Sequence, residues 1–182
     1  MNEDPLAWET LDRSVAYRCD GFDVVNERVR FPDGDEGEFD YLSEPPSVGV
    51  LAFDADGDVV LIEEWRQAVD RVNRGIPVGT VEPEDADLTA AARRELAEET
   101  GYVADSMDPL VTVEPANGIA DAVLHFFVAR GCAPASEQDL DRDESIRVRT
   151  DTFERLRSEV LAGEIRDGRT VLAVSYYLLA RE

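Results

Sequence analysis

Lysine is absent from this chain of 182 residues: all 18 basic side chains are arginines, they face 41 acids, and the formal charge is -23. A basic face is thereby excluded, and with it recognition of a nucleic-acid backbone. An anionic small molecule would need a metal ion or a few well-placed arginines. Such a charge density repels itself and becomes tolerable where salt screens it, the Debye length falling to ~3 Å at 1 M. The acids run along the whole chain instead of forming one tail. The composition therefore suggests the salt-rich cytoplasm of an extreme halophile over a single acidic docking patch.

Cysteine is scarce as well. Cys19 and Cys132 are too few for a disulfide framework and lack metal-ligand spacing, so both read as free thiols of a cytoplasmic protein. Histidine occurs once, as His125 among Leu124, Phe126 and Phe127, which fits a hydrogen-bonded strand residue better than a catalytic base. No apolar run approaches the ~18 residues of a membrane span. Met1 to Trp8 shows neither the basic nor the apolar region of a secretory leader. No membrane partner is expected.

What the chain does have is a loop and helix between Gly79 and Tyr102. A Gly/Pro/acid loop gives way after Asp87 to a run of Ala, Arg, Glu and Leu, all strong helix formers. Asp87 is the candidate N-cap, and Gly101 stands where a helix would turn left-handed and stop. On that helix Glu95, Glu98 and Glu99 are spaced i, i+3, i+4, so their carboxylates share a face. Like charges stacked this way are destabilising unless something positive sits among them. A hard divalent cation bound through oxygens, with its remaining sites open to phosphates, is the natural candidate. In a chain this acidic the competing reading of E-x-x-E-E is a solvated helix face.

The wider pattern decides between the two. Gly79, Arg94, Glu95, Leu96, Glu98, Glu99, Gly101 and Tyr102 resemble the box of the Nudix hydrolases, Gly-x5-Glu-x7-Arg-Glu-apolar-x-Glu-Glu-x-Gly-apolar. The second half matches completely. The first half departs: Asp85 holds the Glu position, and the spacer to Arg94 is one residue longer. This reads as a one-residue bulge in the loop that leaves the helical carboxylates in register. The resemblance implies that Glu95, Glu98 and Glu99, with the backbone carbonyl of Val78, bind Mg²⁺, with Mn²⁺ as the alternative. It makes Gly79, Arg94 and Gly101 structural positions of the box, Arg94 bracing the loop by pairing with a box carboxylate.

The flanking segments resemble the ADP-ribose pyrophosphatase branch. Short strands before Pro45-Pro46 are similar to its N-terminal strands, often a dimer surface. Residues 1–44 are accordingly expected to form a small antiparallel β-subdomain of a homodimer, and residues 45–182 the Nudix domain. Glu63-Glu-Trp-Arg-Gln-Ala-Val resembles the branch's Q-Y-R segment. On a strand Glu64 and Arg66 point to one face and Trp65 to the other, which offers Arg66 to a diphosphate and Trp65 to base stacking or packing. Arg74-Gly-Ile-Pro-Val-Gly79 is similar to the E-x-P-x-G approach to the box, without its acidic residue. Pro115, Gly118, Asp121, His125 and Phe127 resemble the loop and strand that follow, Pro115 being the branch's marker for ADP-ribose-like substrates, with Asn117 in place of a second Pro. Glu144-Ser-Ile-Arg-Val148 fits the E-x-I-x-V after the loop that carries a water-activating carboxylate. Glu144 is therefore the candidate base, ahead of Asp143 and Asp141, with Glu98 as the alternative on the helix.

Asp54-Ala-Asp-Gly-Asp58 looks like a calcium loop but lacks the closing Glu and flanking helices. It reads as a hairpin turn between strands at 47–53 and 59–65. Further strands are expected at 15–19, 22–31, 39–42, 108–114, 123–130 and 146–149, and a helix from a capping box at Asp151-Thr-Phe-Glu154 to Ala162. An apolar helix is expected from Thr170 to Arg181. The expected fold class is α/β, a Nudix-type α/β/α sandwich with a mixed sheet, the box helix on one side and the C-terminal helices on the other. The resemblance implies metal-dependent hydrolysis of a nucleoside diphosphate-linked substrate, ADP-ribose giving AMP and ribose 5-phosphate. Within the class an NDP-sugar, NADH or an oxidised NTP are alternatives; outside it, a catalytically silent nucleotide-binding sensor module. The charge makes its own prediction: thermal unfolding should move to higher temperature as salt rises into the molar range. Cooperative melting at low ionic strength with no gain in molar salt would refute the halophilic reading.

Overall fold

A computed structural model describes residues 4–180 as two compact units. The first runs to Pro46 and takes in Glu114–Val123; the second comprises Ser47–Val113 and the chain from Leu124 onward. The expected helix end at Arg181 lies outside the described residues.

The first unit is an antiparallel meander of β1 (Glu9–Arg18), β2 (Asp23–Arg30) and β3 (Glu36–Ser43), in the order β1-β2-β3. Its apolar centre is small, with Val25 and Val29 buried. Strand β1 starts well before the expected Val15, because it is exposed along nearly its whole length and so carries no alternating apolar signal. Glu114–Val123 docks on the end of β3: Leu42 N donates to Ile119 O, and the Asp121 carboxylate accepts from Ser43 Oγ and Glu44 N.

The second unit is built on an eight-stranded mixed sheet. Strands β4 (Ser47–Asp54) and β5 (Asp58–Arg66) form a hairpin over the Asp54 loop. Asp54 Oδ1 there accepts from the backbone of Asp56 and Asp58, a turn closed on itself. Three short strands add to the sheet: β6 (Arg71–Gly75) on β5, β7 (Val78–Thr80) on β4, and β8 (Tyr102–Val103), which pairs with Ala133 and Pro134. Then come β9 (Ser106–Val113), β10 (Leu124–Pro134) and β11 (Ile146–Thr152). Among the described strands of this sheet β4 and β10 alone pair in parallel, with Phe127 opposite Val50; β11 pairs antiparallel with β5.

Helix α1 (Leu88–Thr100) covers one face of this sheet, and α2 (Phe153–Leu161) with α3 (Gly168–Leu179) covers the other. Both faces of β4 are therefore apolar. Val48, Val50 and Ala52 pack with Ala91, Ala92 and Leu96 of α1, while Leu51 and Phe53 pack with Leu156, Val174 and Tyr177. That two-sided burial explains the continuous apolar run in the sequence. The α2 cap corrects the sequence reading: Thr152, not Asp151, accepts from Arg155 N. Asp151 belongs to β11 and pairs with Arg74 and Arg155 instead. Leu156 is the buried residue of α2 and is fully enclosed. Leu156→Ala should cost about 2–5 kcal/mol in denaturant unfolding at fixed molar salt. A loss within the ~0.5 kcal/mol of a surface substitution would mean that α2 is not anchored there.

Candidate active site

Helix α1 begins and ends as its caps dictate. Asp87 Oδ1 accepts from Ala90 N at 2.8 Å, and Gly101, at φ 74°, donates its N–H to Ala97 O. A Cβ on Gly101 would lie 2.4 Å from Ser136 O, so glycine is required twice over, by φ and by space. Between the caps the helix turns Glu95 and Glu99 inward, 7% and 2% exposed, and leaves Glu98 at the rim. Glu99 Oε2 accepts from Val78 N at 3.0 Å. The Glu95 carboxyl lies over Gly79 so closely that a Cβ there would stand 2.0 Å from it, which is what the box glycine makes room for.

Arg94 sits among these carboxylates. Its Nη1 donates to Glu95 Oε1 at 2.9 Å and to Glu98 Oε2 at 2.7 Å. Its Nε and Nη2 form a fork onto Asp85 at 3.1 and 2.9 Å, and Nη2 also reaches Thr80 O. Asp85 thus closes the loop onto the helix from the position where the family pattern has Glu. The Arg94 hydrogen bonds hold its carboxyl below the usual carboxylate range.

Arg94, Glu95 and Glu98 form one wall of a cavity of about 380 Å³, which Asp85 and Glu99 do not line. Val78, Gly79 and Thr80 contribute from β7, Arg66 from the end of β5, and Arg169 from the first turn of α3. The loop after β10 supplies Asp139, Asp141 and Glu144. That loop is pinned to the open end of α1, whose last carbonyls need partners: Gln138 Nε2 donates to Glu99 O, Asp139 N to Glu98 O, and Ala135 N to Gly101 O. Glu144 Oε2 in turn accepts from Asp141 N at 3.1 Å.

Burial dominates the electrostatics. It pushes the Glu99 carboxyl up to about 9, helped by repulsion from Glu95 and Glu144 and opposed by the Val78 N–H. Burial also raises Glu95 to about 7 against the pull of Arg94. Glu64, 7% exposed on β5, is raised by burial while Arg66 and Arg169 oppose it. Buried oxygen donors that repel one another are the chemistry a hard divalent cation relieves, so Glu95, Glu98 and Glu99 fit such an ion. Among the described residues no three acidic, His or Cys side chains converge as a closed set. Arg94 Nη1 occupies the point between Glu95 and Glu98.

The cavity brings together Arg66, Val78, Gly79, Arg94, Glu95, Glu98 and Glu144 of the residues singled out in the sequence, and Asp141 with them. Asp143 does not line it. Trp65 does not either: strand alternation turns it to the opposite side from Arg66, where it is 42% exposed and donates Nε1–H to Gln67 Oε1. Pro115 belongs to the first unit. His125 is on β10 with Nδ1 2.9 Å from Thr112 Oγ1. Sequence reasoning set Glu64 on the face of Arg66 without giving it a role, and passed over Gln138, which pins the loop to α1, and Arg169 of α3, which lines the cavity.

Comparison with known proteins places this arrangement. The NUDIX domain family model matches residues 43–172. An ADP-ribose pyrophosphatase of Bacillus subtilis (strain 168) is 31% identical over 176 residues, 96% of this chain and 94% of that protein. A methanol dehydrogenase activator of Bacillus methanolicus is 31% identical over 153 residues, 83% of this chain and 82% of that protein. A solved structure described as an ADP compounds hydrolase superposes at a TM-score of 0.81, over 93% of this chain and 91% of that one. At 20% identity, that likeness is one of fold.

The raised carboxyls set a pH dependence for the metal-free protein. Between the ordinary value of 4.5 and about 9, folded Glu99 keeps a proton that the unfolded chain has released. Folding is thus favoured at the acid end, and stability falls as pH rises through that window, by up to ~1.4 kcal/mol per pH unit for such a group. Glu95 adds to the fall between 4.5 and about 7. Melting temperatures in chelator at fixed molar salt should decline from pH 5 to pH 9, and Glu99→Gln should flatten the decline. An unchanged slope in that variant would show that Glu99 is not the titrating group.

Proposed function

This chain belongs to the NUDIX family and is a hydrolase related to the ADP-ribose pyrophosphatases; from that premise we propose that it cleaves ADP-ribose to AMP and ribose 5-phosphate with a divalent cation. One observation carries the reading: Glu95, buried on α1, and Glu98 at its rim open on the same cavity as Arg66 and Glu144. A group that needs positive charge and a group that binds phosphate are thus within one ligand's reach. Glu95, Glu98, Glu99 and the Val78 carbonyl would hold Mg²⁺, or Mn²⁺ in its place, which neutralises diphosphate charge and makes a water nucleophilic at neutral pH. Arg66, anchored on Glu64 Oε2 at 2.6 Å, presents a planar fork to the diphosphate. Glu144 accepts the proton of the attacking water, its carboxylate steadied by Asp141 N; Glu98, at the rim of α1, is the other acceptor. Arg94 braces the loop, since its donors are already committed to Asp85, Glu95, Glu98 and Thr80.

The same reading makes the chain a homodimer of a salt-rich cytoplasm. Exposed Trp8, Val15 and Tyr17 on the first unit support an interface there. Among the described residues no helix is long and apolar enough to cross a membrane.

The test is turnover of a panel of ADP-ribose, an NDP-sugar, NADH and an oxidised NTP in molar salt, with and without Mg²⁺. AMP appearing from ADP-ribose only with metal is the expected result. Cleavage of another member instead would discard the substrate, and silence across the panel would overturn the reading. Glu98→Gln and Glu144→Gln should each lower kcat on the order of 100-fold where the side chain is the proton acceptor. Glu98→Gln should also lose the Mg²⁺-dependent rise in melting temperature, a readout independent of turnover.

A further inference from the structure

We propose that Arg169 is a second phosphate-binding residue of this cavity, aimed by Asp167, and that it meets the diphosphate together with Arg66. The inference rests on the substrate reading above for the identity of the anion, and on the geometry of α3 for the residue.

The cavity wall carries Glu82, Glu95, Glu98, Asp139, Asp141 and Glu144 against three arginines, Arg66, Arg94 and Arg169. An anionic ligand enters that surroundings only where positive charge is not already consumed. The Arg94 guanidinium is engaged at every nitrogen that donates, by Asp85, Glu95, Glu98 and Thr80 O. Arg66 holds Glu64 through Nη2. Arg169 touches no carboxylate of the wall: its bond is from Nε to Asp167 Oδ1 at 3.0 Å. Its two Nη groups have no protein partner among the described residues, and its side chain is 31% exposed.

The support under Arg169 is buried and fully bonded. Asp167, 8% exposed, caps α3: its Oδ2 accepts from Thr170 N at 3.0 Å and from Thr170 Oγ1 at 2.6 Å. Thr170 Oγ1 accepts from Ile76 N at 2.9 Å, which ties the cap to the chain just before β7. Gly75 leaves the room, since a Cβ there would stand 2.5 Å from Thr170 Oγ1 and 2.9 Å from Asp167 Oδ2. The cap uses one oxygen of Asp167 and leaves the other to orient the guanidinium. A small recess bounded by Glu64, Arg66, Asp167 and Arg169 joins the two arginines. An arginine in the first turn of a helix is on the unfavourable end of the macrodipole, a local cost without return in the stability of α3. The same placement puts the guanidinium and the helix N-terminus on the same side of an incoming anion. A planar fork with free Nη donors suits a phosphate, where lysine would offer a point charge.

The test uses the full chain in molar salt. Calorimetric binding of inorganic diphosphate, in chelator and without turnover, is measured for wild type, Arg169→Ala, Arg169→Lys and Asp167→Asn, alongside kcat and KM for ADP-ribose with Mg²⁺. Loss of a charge-assisted contact predicts that Arg169→Ala weakens diphosphate binding and raises KM about tenfold or more, with kcat little changed. Arg169→Lys should recover part of the loss. Asp167→Asn, which keeps the cap but removes the second acceptor, should raise KM by less. Unchanged affinity and KM in folded Arg169→Ala, with wild type turning over, would overturn this proposal alone; if that variant fails to fold, Arg169→Lys with wild-type KM does the same. Wild type that turns over nothing, yet binds diphosphate through Arg169, would sink the hydrolytic substrate and leave the site standing.

Discussion

Two carboxylates of one helix, Glu95 and Glu99, are buried against the backbone of a three-residue strand, and the surroundings of the site follow from that constraint. Burial disfavours their charge, and their i, i+4 spacing adds repulsion. The chain answers locally. Val78 N–H meets Glu99, Gly79 clears space for Glu95, and Arg94 places a guanidinium between Glu95 and Glu98. Asp85 then fixes Arg94 from the loop side with a two-point contact. Removing any one of these leaves a buried acid without its counterpart, so the loop, the short strand and the helix behave as one unit.

The sheet delivers the rest of the cavity to that unit. Strand β7 pairs with β4, and Gly49 opposite Val78 admits the Phe126 ring, which a Cβ would meet at 2.9 Å. The parallel β4–β10 pair carries the chain across the sheet, so the loop after β10 emerges at the C-terminal end of α1 and satisfies its last carbonyls. The loop that holds Glu144 is thereby placed by helix termination as much as by its own sequence. On the opposite face, α3 enters beside Ile76 and brings Arg169 in from the third layer.

The elements legible in the sequence were those with a local physical signature. Helix α1 announced itself by Asp87, Gly101 and its run of helix formers, and the hairpin strands by their apolar runs. The carboxylate face followed from spacing alone, although spacing could not say that Glu95 and Glu99 go inward and Glu98 stays at the rim. Strands β6, β7 and β8 were illegible because a few residues offer no periodicity, and most of β1 because both its faces meet solvent. The α2 cap was misplaced by one residue because Asp151 and Thr152 are equally good acceptors; the pull of Arg74 and Arg155 on Asp151 decides it. Glu64 was legible only as sharing the face of Arg66, and Gln138 and Arg169 carried no signal. Glu64 and Arg169 bond neighbours two residues away and Gln138 the end of α1; it is the fold that brings Arg169 to the cavity wall and Glu64 to the recess beside it.

The absence of lysine bears on how such an acidic chain coheres. A guanidinium can join acids from different elements where an ammonium would offer one compact charge. Arg74 pairs with Asp151 of β11 and Glu159 of α2, Arg155 meets the same two acids, and the helix is thus tied to the sheet beneath it. Arg30 bridges Glu9 and Glu36 across the three strands of the first unit. Exposed pairs such as those of Arg30 each contribute little, and salt weakens them further. Their use is to order the many acids rather than to neutralise them, with the remaining repulsion left to the ionic strength of the surroundings. Against that background an arginine whose fork is left unbridged, as at Arg169, departs from the pattern of the chain, and it does so at the wall of the cavity where an anion has to be received.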